Sequence, residues 1–137
     1  MVECRKLGHC VLSIHPSKLK DSLIFFHDTF GLIGSDTNFG DKEKTRPMSQ
    51  FMHLDRGEEY TDHHTLALFG FAGEPGLNHM AYEVEDYDDL MKGHFHLEYL
   101  QEQDKKNNVE KPTSNGHAWG VARHILGSQI FDYWKDP

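Results

Sequence analysis

The amino-acid sequence predicts an α+β fold made of two paired βαβββ modules, the second of which lacks its last strand. Residues 7–14 and 77–84 share one layout, in which a small residue and a histidine come first and an alternating apolar stretch follows. Each stretch is followed by helix-start signals and then by further strand-like segments. We therefore expect a single domain over residues 1–137, with residues 1–74 as the first module and residues 75–137 as the second.

The first module is predicted to contain four strands and one helix. The strands are expected over residues 7–14, 32–39, 48–54 and 64–71. The helix begins near Pro16 and ends near Thr29, and Gly31 is a typical stop signal. Apolar side chains recur at helical spacing within it, at Leu19, Leu23, Phe26 and Phe30. The glycine- and proline-rich residues 73–76 separate the two modules.

The second module repeats this order but ends early. A strand over residues 77–84 leads to Asp86, a typical N-cap residue, and to a helix over residues 87–103. Two further strands are expected over residues 116–124 and 129–134. A fourth strand would begin after Pro137, so we expect the second module to be truncated at its C-terminus.

The composition of the chain limits which partners it is expected to bind and in which compartment it is expected to occur. The chain has 14 Lys and Arg against 22 Asp and Glu, for a formal net charge of -8. This balance argues against nucleic acid and against an anionic membrane as partners, because both attract basic residues. Cys4 and Cys10 are too few and too close for a disulfide framework. No secretory signal or membrane-spanning segment is visible, so a soluble cytoplasmic protein is expected.

Histidine is the residue type that carries most chemical information here, with eleven in the chain. His9 and His79 open the two matching strands, and on neighbouring strands they could bind one metal ion, since imidazole is a common ligand of divalent transition metals. The alternative is that both are surface or hydrogen-bonded core histidines. His63 and His64 are adjacent, so on a strand they would point to opposite faces. Cys10, adjacent to His9, is interpreted as a packing residue for the same reason.

Five segments occur in an order typical of one family. They are Leu7-Gly8-His9, Phe51-Met52-His53-Leu54-Asp55, Asp62-His63-His64-Thr65-Leu66-Ala67, Gly76-Leu77-Asn78-His79, and Gly120-Val121-Ala122-Arg123-His124 followed by Gly127-Ser128-Gln129-Ile130-Phe131-Asp132-Tyr133-Trp134. Together they resemble the vicinal oxygen chelate superfamily, and within it the catalytic domain of type I extradiol ring-cleaving dioxygenases, which include catechol 2,3-dioxygenase and 2,3-dihydroxybiphenyl dioxygenase. The resemblance implies the glyoxalase-like half-barrel fold of that superfamily.

The resemblance also implies a cofactor, substrates and a set of site residues. The cofactor is Fe(II), or occasionally Mn(II), held by two histidines and one carboxylate on one face of the metal. His9 and His79 match the two histidine ligands, and His64 matches an acid–base residue beside the bound oxygen. His124 and Tyr133 match groups that hydrogen-bond the substrate. The partners implied are a catechol-like aromatic substrate and O2.

The sequence departs from the family pattern at the third metal ligand. The family's glutamate lies on the final strand, and we expect its position to fall beyond Pro137. Asp132 is nearest in sequence but belongs to the preceding strand. Glu83 shares a strand face with His79 but lies about 13 Å away, at about 3.3 Å per residue.

Two functions therefore remain open. The first is a non-haem Fe(II)-dependent extradiol dioxygenase that cleaves a catechol-type ring with O2. The alternative is a non-catalytic module of the same fold that binds a small molecule. A glyoxalase-type isomerase or thiol transferase ranks last, because acidic ligands are not found in the expected register of both halves. An exposed sheet edge would also favour a homo-oligomer.

The remaining histidines match no family position. Solvated or capping roles are expected for His15, His27, His53, His94, His96 and His117.

Overall fold

The computed structural model describes residues 2–71, 73–125 and 127–137. Its secondary structure confirms the α+β class, with helices and strands in the predicted order. The strands are β1 (Lys6–Ile14), β2 (Leu32–Phe39), β3 (Pro47–Leu54), β4 (Leu66–Gly70), β5 (Gly76–Glu83), β6 (Gly116–Arg123) and β7 (Ile130–Lys135), and the helices are α1 (Leu19–Phe30) and α2 (Tyr87–Lys106). No helix in the described part of the chain is long and apolar enough to span a membrane.

Contacts divide the chain into two compact units. The sheet unit comprises residues 6–83, and the hairpin unit comprises residues 1–5 and 84–137. β5, the predicted first strand of the second module, thus belongs to the sheet unit together with the strands of the first module. The predicted module boundary near residue 75 marks an internal sequence repeat, whereas the two units are defined by contacts. The module boundary therefore stays a prediction.

The sheet unit contains one five-stranded sheet in the order β2-β3-β4-β1-β5. β1 and β4 are parallel neighbours, with Val11 opposite Ala67, and the other neighbours are antiparallel. Parallel strands require a crossover connection, which α1, β2 and β3 provide. β4 is buried along almost its whole length, which explains why its sequence is a continuous apolar run rather than an alternating one.

α1 packs against this sheet and closes a small apolar core. Its buried Leu19 belongs to a cluster with side chains from β2, β3 and β4, namely Leu32, Met52, Leu66 and Leu68. The helix ends at Gly31 as predicted, where φ is 68° and the backbone N–H donates to the carbonyls of His27 and Phe26. Glycine favours this left-handed conformation because it has no Cβ. The core therefore lies between α1 and the central strands.

β5 pairs antiparallel with β1 and forms one edge of the five-stranded sheet. Its Leu77 and Tyr82 side chains are each 61% exposed. Within the described residues, no further strand is hydrogen-bonded to the outer side of β5. The N-terminal half of β5, which contains His79, therefore lies at an edge of the five-stranded sheet.

The hairpin unit consists of α2 and the antiparallel pair β6–β7. α2 begins at the predicted cap, where the Asp86 carboxylate accepts a hydrogen bond of 2.9 Å from the backbone N–H of Asp89. It ends at Lys106, three residues later than the predicted Gln103. The positive charges of Lys105 and Lys106 in its last turn interact favourably with the negative end of the helix dipole. The β6–β7 register shifts between His117 and Gly120.

Candidate functional site

His9 and His79 come together on neighbouring strands of the sheet unit. In the antiparallel β1–β5 pair, His9 lies opposite Ala81 and His79 lies opposite Val11. The two histidines are therefore diagonal neighbours on one face, a spacing that long side chains can bridge. Their Nε2 atoms are 3.3 Å apart, and the pair is partly buried.

This separation is compatible with two ligands of one metal ion. With metal–nitrogen bonds of about 2.1 Å and bond angles between about 90° and 109°, two imidazole nitrogens lie about 3.0 to 3.4 Å apart. The observed Nε2–Nε2 distance of 3.3 Å falls in this range. The donor set of two imidazoles suits first-row transition metals such as iron and zinc.

Asn78 orients the His79 ring. Its Oδ1 lies 2.9 Å from His79 Nδ1, and its Nδ2 donates to Ser13 Oγ at 3.1 Å. Because the Asn78 oxygen accepts, the proton of a neutral His79 is on Nδ1 and the lone pair is on Nε2, on the side of His9. Sequence reasoning did not assign Asn78 a role, although an amide directly before a candidate ligand is a usable signal.

His64 completes a cluster of three histidines. Its ring centroid is 4.3 Å from that of His9, and Phe51 packs edge-on against it at 4.9 Å. His64 is partly buried and lies just before β4, which begins at Leu66. The histidines predicted to act as metal ligands and as the acid–base residue are thus brought together within one unit.

The expectation that His63 points away from His64 is wrong. The two Nδ1 atoms are 3.1 Å apart. Both residues precede β4, whose predicted start at residue 64 was two residues too early, so strand alternation does not apply to them. His63 is about half exposed and its Nε2 lies 3.7 Å from Asp36 Oδ2, which places it at the border of the cluster.

His124 and Tyr133, the remaining two predicted site residues, lie close together in the hairpin unit. His124 directly follows β6, where its backbone N–H donates to the Gln129 carbonyl at 2.9 Å. Its ring is perpendicular to that of Tyr133, with centroids 6.2 Å apart, and lies 4.3 Å from Phe131. The five predicted residues therefore form two clusters, one in each unit.

Tyr133 has an apolar setting that affects its chemistry. Trp119 and Phe131 pack against its ring at centroid distances of 4.8 and 5.0 Å. Burial raises the pKa of Tyr133, because a phenolate is less stable away from water. The hydroxyl is therefore protonated at neutral pH and can donate a hydrogen bond.

The two carboxylates considered as a third ligand have other partners. Glu83 Oε2 lies 3.3 Å from Lys6 Nζ in an ion pair. Asp132 Oδ2 lies 3.0 Å from His94 Nδ1 and accepts from Trp134 Nε1 at 2.6 Å. Each of these carboxylates is thus engaged by residues of its own unit.

The structure partly corrects the roles expected for the other histidines. His15 is a cap as expected, since its Nδ1 accepts from the Ser17 backbone N–H. The expected solvated or capping role is wrong for His94, whose side chain is only 13% exposed and is paired with Asp132. A buried pair between a helix and a strand depends on how the two elements pack, and local sequence pattern does not report that.

Known proteins resemble this chain both in amino-acid sequence and in fold. No protein-family model matches the chain. The chain is 31% identical over 135 residues to metapyrocatechase 2 from Cupriavidus necator, a match that covers 97% of this chain and 33% of that protein. In sequence, this similarity extends over both units.

Two solved structures share the fold. The Mn(II)-bound glyoxalase from Novosphingobium aromaticivorans aligns with a TM-score of 0.61 and 27% identity, over 98% of this chain and 35% of that one. The 2,3-dioxygenase LapB from Pseudomonas sp. KL28 aligns with a TM-score of 0.65 and 16% identity, over 98% of this chain and 39% of that one. The chain thus spans between 33% and 39% of the length of these relatives.

Proposed function

We propose that this chain is an extradiol dioxygenase-like domain of the vicinal oxygen chelate fold, and that it serves the cleavage of a catechol-type aromatic ring by O2 with a non-haem Fe(II) cofactor. The observation that carries the proposal is the 3.3 Å separation of His9 Nε2 and His79 Nε2, on strands that begin the two halves of the sequence repeat. Similarity to a metapyrocatechase supports this reaction class. The Mn(II) in the related glyoxalase supports Mn(II) as a second candidate ion.

His9 and His79 are the residues we assign to the metal. When bound, the ion supplies a point at which two adjacent substrate hydroxyls and O2 can meet. Asn78 keeps the His79 lone pair on Nε2, which makes that ring ready to bind without a change of tautomer. The assignment gives this chain two nitrogen ligands and leaves the carboxylate ligand of the family unassigned.

His64 is the residue we assign to proton transfer. A catechol must lose protons to chelate a metal, and a histidine near neutral pH can accept one. Its ring lies beside His9 at a centroid distance of 4.3 Å, so it would be close to whatever binds there. Contacts with Phe51 and His63 limit its rotation, which favours a defined direction of transfer.

His124 and Tyr133 are assigned to substrate orientation. The protonated Tyr133 hydroxyl can donate to an electron-rich oxygen of the substrate, and the aromatic rings that pack against it partly shield it from water. His124 can donate or accept, according to its protonation state.

Anaerobic reconstitution tests the proposal. The chain is incubated with Fe(II) and catechol without oxygen, iron retention is measured after gel filtration, and O2 is then added while the absorbance of a yellow ring-cleaved product is followed. We expect His79→Ala to retain less iron than the wild type, whereas His27→Ala, which changes an exposed histidine on α1, should match the wild type. Equal iron retention in wild type and His79→Ala would overturn the assignment.

The second candidate function is binding of a small planar molecule without catalysis. The ion pair between Glu83 and Lys6 favours it, because that carboxylate is already engaged. It predicts saturable catechol binding with neither retained iron nor product. Stoichiometric iron together with product would eliminate this candidate.

A further inference from the structure

A second cluster of metal-ligating side chains lies in the hairpin unit. His94 on α2, His117 on β6 and Asp132 on β7 each offer a ligand atom, and these atoms lie within 4.8 Å of one another. Asp132 and Tyr133 are consecutive on β7, so their side chains point to opposite faces of the hairpin. The cluster is therefore on the face opposite the residues assigned to substrate orientation.

The Asp132 carboxylate has an unused ligand atom in a buried position. Its side chain is 9% exposed. Oδ2 contacts His94 Nδ1 and accepts from Trp134 Nε1, whereas Oδ1 has no hydrogen-bond partner among the described residues. A buried acceptor without a donor is unfavourable, and a bound cation would satisfy it. Oδ1 can take a cation while Oδ2 keeps its bond to Trp134.

His94 is held in the manner of a metal-binding histidine. Its Nδ1 faces Asp132, while its Nε2 lies 3.5 Å from Glu98 Oε1, one helical turn further along α2. A carboxylate on the far ring nitrogen is the usual outer contact of histidine ligands, because it fixes the tautomer and makes the ring more basic. Glu98 therefore prepares Nδ1 as the ligand atom.

His117 supplies the third ligand and the route of entry. Its ring stacks on His94 at a centroid distance of 4.8 Å and packs against Trp134 at 4.0 Å. His117 is exposed, so its ring can rotate from the stacked position towards an ion that arrives from solvent. Two ligands on packed elements and one adjustable exposed ligand give an accessible site with room for a water as the fourth ligand.

We propose that His94, His117 and Asp132 bind a divalent transition metal of the zinc type, independently of the iron proposed for His9 and His79. Two imidazole nitrogens and one carboxylate oxygen are a donor set that zinc accepts in tetrahedral geometry. The ion would take the lone pair of His94 Nδ1 on the side facing Asp132, while the ring proton stays on Nε2, towards Glu98.

Zinc binding in a background without the first site tests the proposal. In His9→Ala/His79→Ala, Zn²⁺ is titrated calorimetrically, and retained zinc is measured after gel filtration. We expect one equivalent per chain, and adding His117→Ala should weaken binding by about ten-fold or more. Adding His27→Ala instead should change nothing, because that exposed histidine lies outside the cluster.

One further comparison keeps the test decisive. If the background variant does not fold, the wild type and His117→Ala are compared directly, and retained zinc should differ by one equivalent. No zinc in the background variant, or equal affinity with and without His117, overturns the proposal, whereas failure of the iron assignment would appear only in the His9 and His79 variants.

Discussion

Asn78 is the residue through which the His9–His79 pair is tied to the surrounding sheet. It bridges His79 Nδ1 and Ser13 Oγ, at 2.9 and 3.1 Å. Asn78→Ala removes the acceptor that keeps the Nε2 lone pair of His79 available. We expect the affinity for Fe(II) to fall by about 10- to 100-fold, since this is the usual effect of losing an outer contact of a metal ligand.

Competition against a coloured ferrous chelator under anaerobic conditions measures this affinity. Asn78→Asp is the matched control, because a carboxylate still accepts from Nδ1 and should largely keep the affinity. If Asn78→Ala binds Fe(II) as tightly as the wild type, the orienting role is wrong, while the ligand role of His79 stands on its own test.

Tyr133 gives a prediction about pH at the same scale. Burial raises the pKa of Tyr133, so the folded chain keeps this proton to a higher pH than the unfolded chain, whose tyrosine has its ordinary pKa of about 10. The stabilisation that this difference in the pKa of Tyr133 gives the folded chain is fully present below the pKa of the unfolded chain. It is lost as the pH rises through the pKa of the folded chain. The free energy of unfolding should therefore fall with pH above about 10.

Urea unfolding between neutral and alkaline pH measures this dependence. Tyr133→Phe should show a shallower decrease above the ordinary tyrosine pKa. Tyr60→Phe is the control, because Tyr60 is fully exposed and should leave the wild-type slope unchanged. Identical slopes in all three proteins would contradict the role of Tyr133 burial.

The N-terminus of α2 is the clearest testable feature at the scale of an element. Asp86 has extended backbone angles, and its carboxylate satisfies the Asp89 N–H, which the helix itself cannot pair. Asp86→Ala should lower the free energy of unfolding by about 1 kcal/mol. Asp86→Asn keeps an accepting oxygen and should cost much less, so similar losses for both variants would show that the cap is not the cause. Urea unfolding followed by circular dichroism gives both values.

Local sequence pattern was sufficient to predict which elements form, but not how they pair. The repeat around His9 and His79 identified β1 and β5, and Gly31 and Asp86 marked two helix ends correctly. The start of β4 was predicted two residues early, since the strand begins at Leu66, where the continuous apolar run itself begins. The pairing of β5 with β1 joins residues about seventy positions apart, which periodicity does not report.

The same distinction applies to the site residues. His9, His64 and His79 were predicted because the repeat and the family resemblance both pointed to them. The His94–Asp132 pair was missed, because it depends on the packing of α2 against β7, which no spacing rule in the sequence encodes. Asn78 was missed although it directly precedes a candidate ligand, and only its bond to Ser13 across two strands depends on strand pairing.

At the scale of the whole molecule, the apolar core is confined to one of the two units. In the described part of the chain, every buried apolar side chain belongs to the sheet unit, namely Val11, Leu19, Leu32, Met52, Leu66, Ala67 and Leu68. In the hairpin unit the buried residue is Ser114. Apolar burial is the main stabilising contribution to folding, so the two units should differ in local stability. The proposed metal ligands His9 and His79 thus lie in the better-packed unit, and His124 and Tyr133 in the other.

Hydrogen exchange measured by mass spectrometry should reveal this difference. Peptides that cover β1 and β4 should exchange slowly, because their amides are paired inside the core, whereas peptides from β6 and β7 should exchange faster. Zn²⁺ added to His9→Ala/His79→Ala should then slow exchange in α2, β6 and β7 and leave β1 and β4 unchanged, since a ligand stabilises the state that it binds. Equal protection of both units in the metal-free chain would show that burial does not set the local stability, and a uniform response to Zn²⁺ would place the ion outside the hairpin unit.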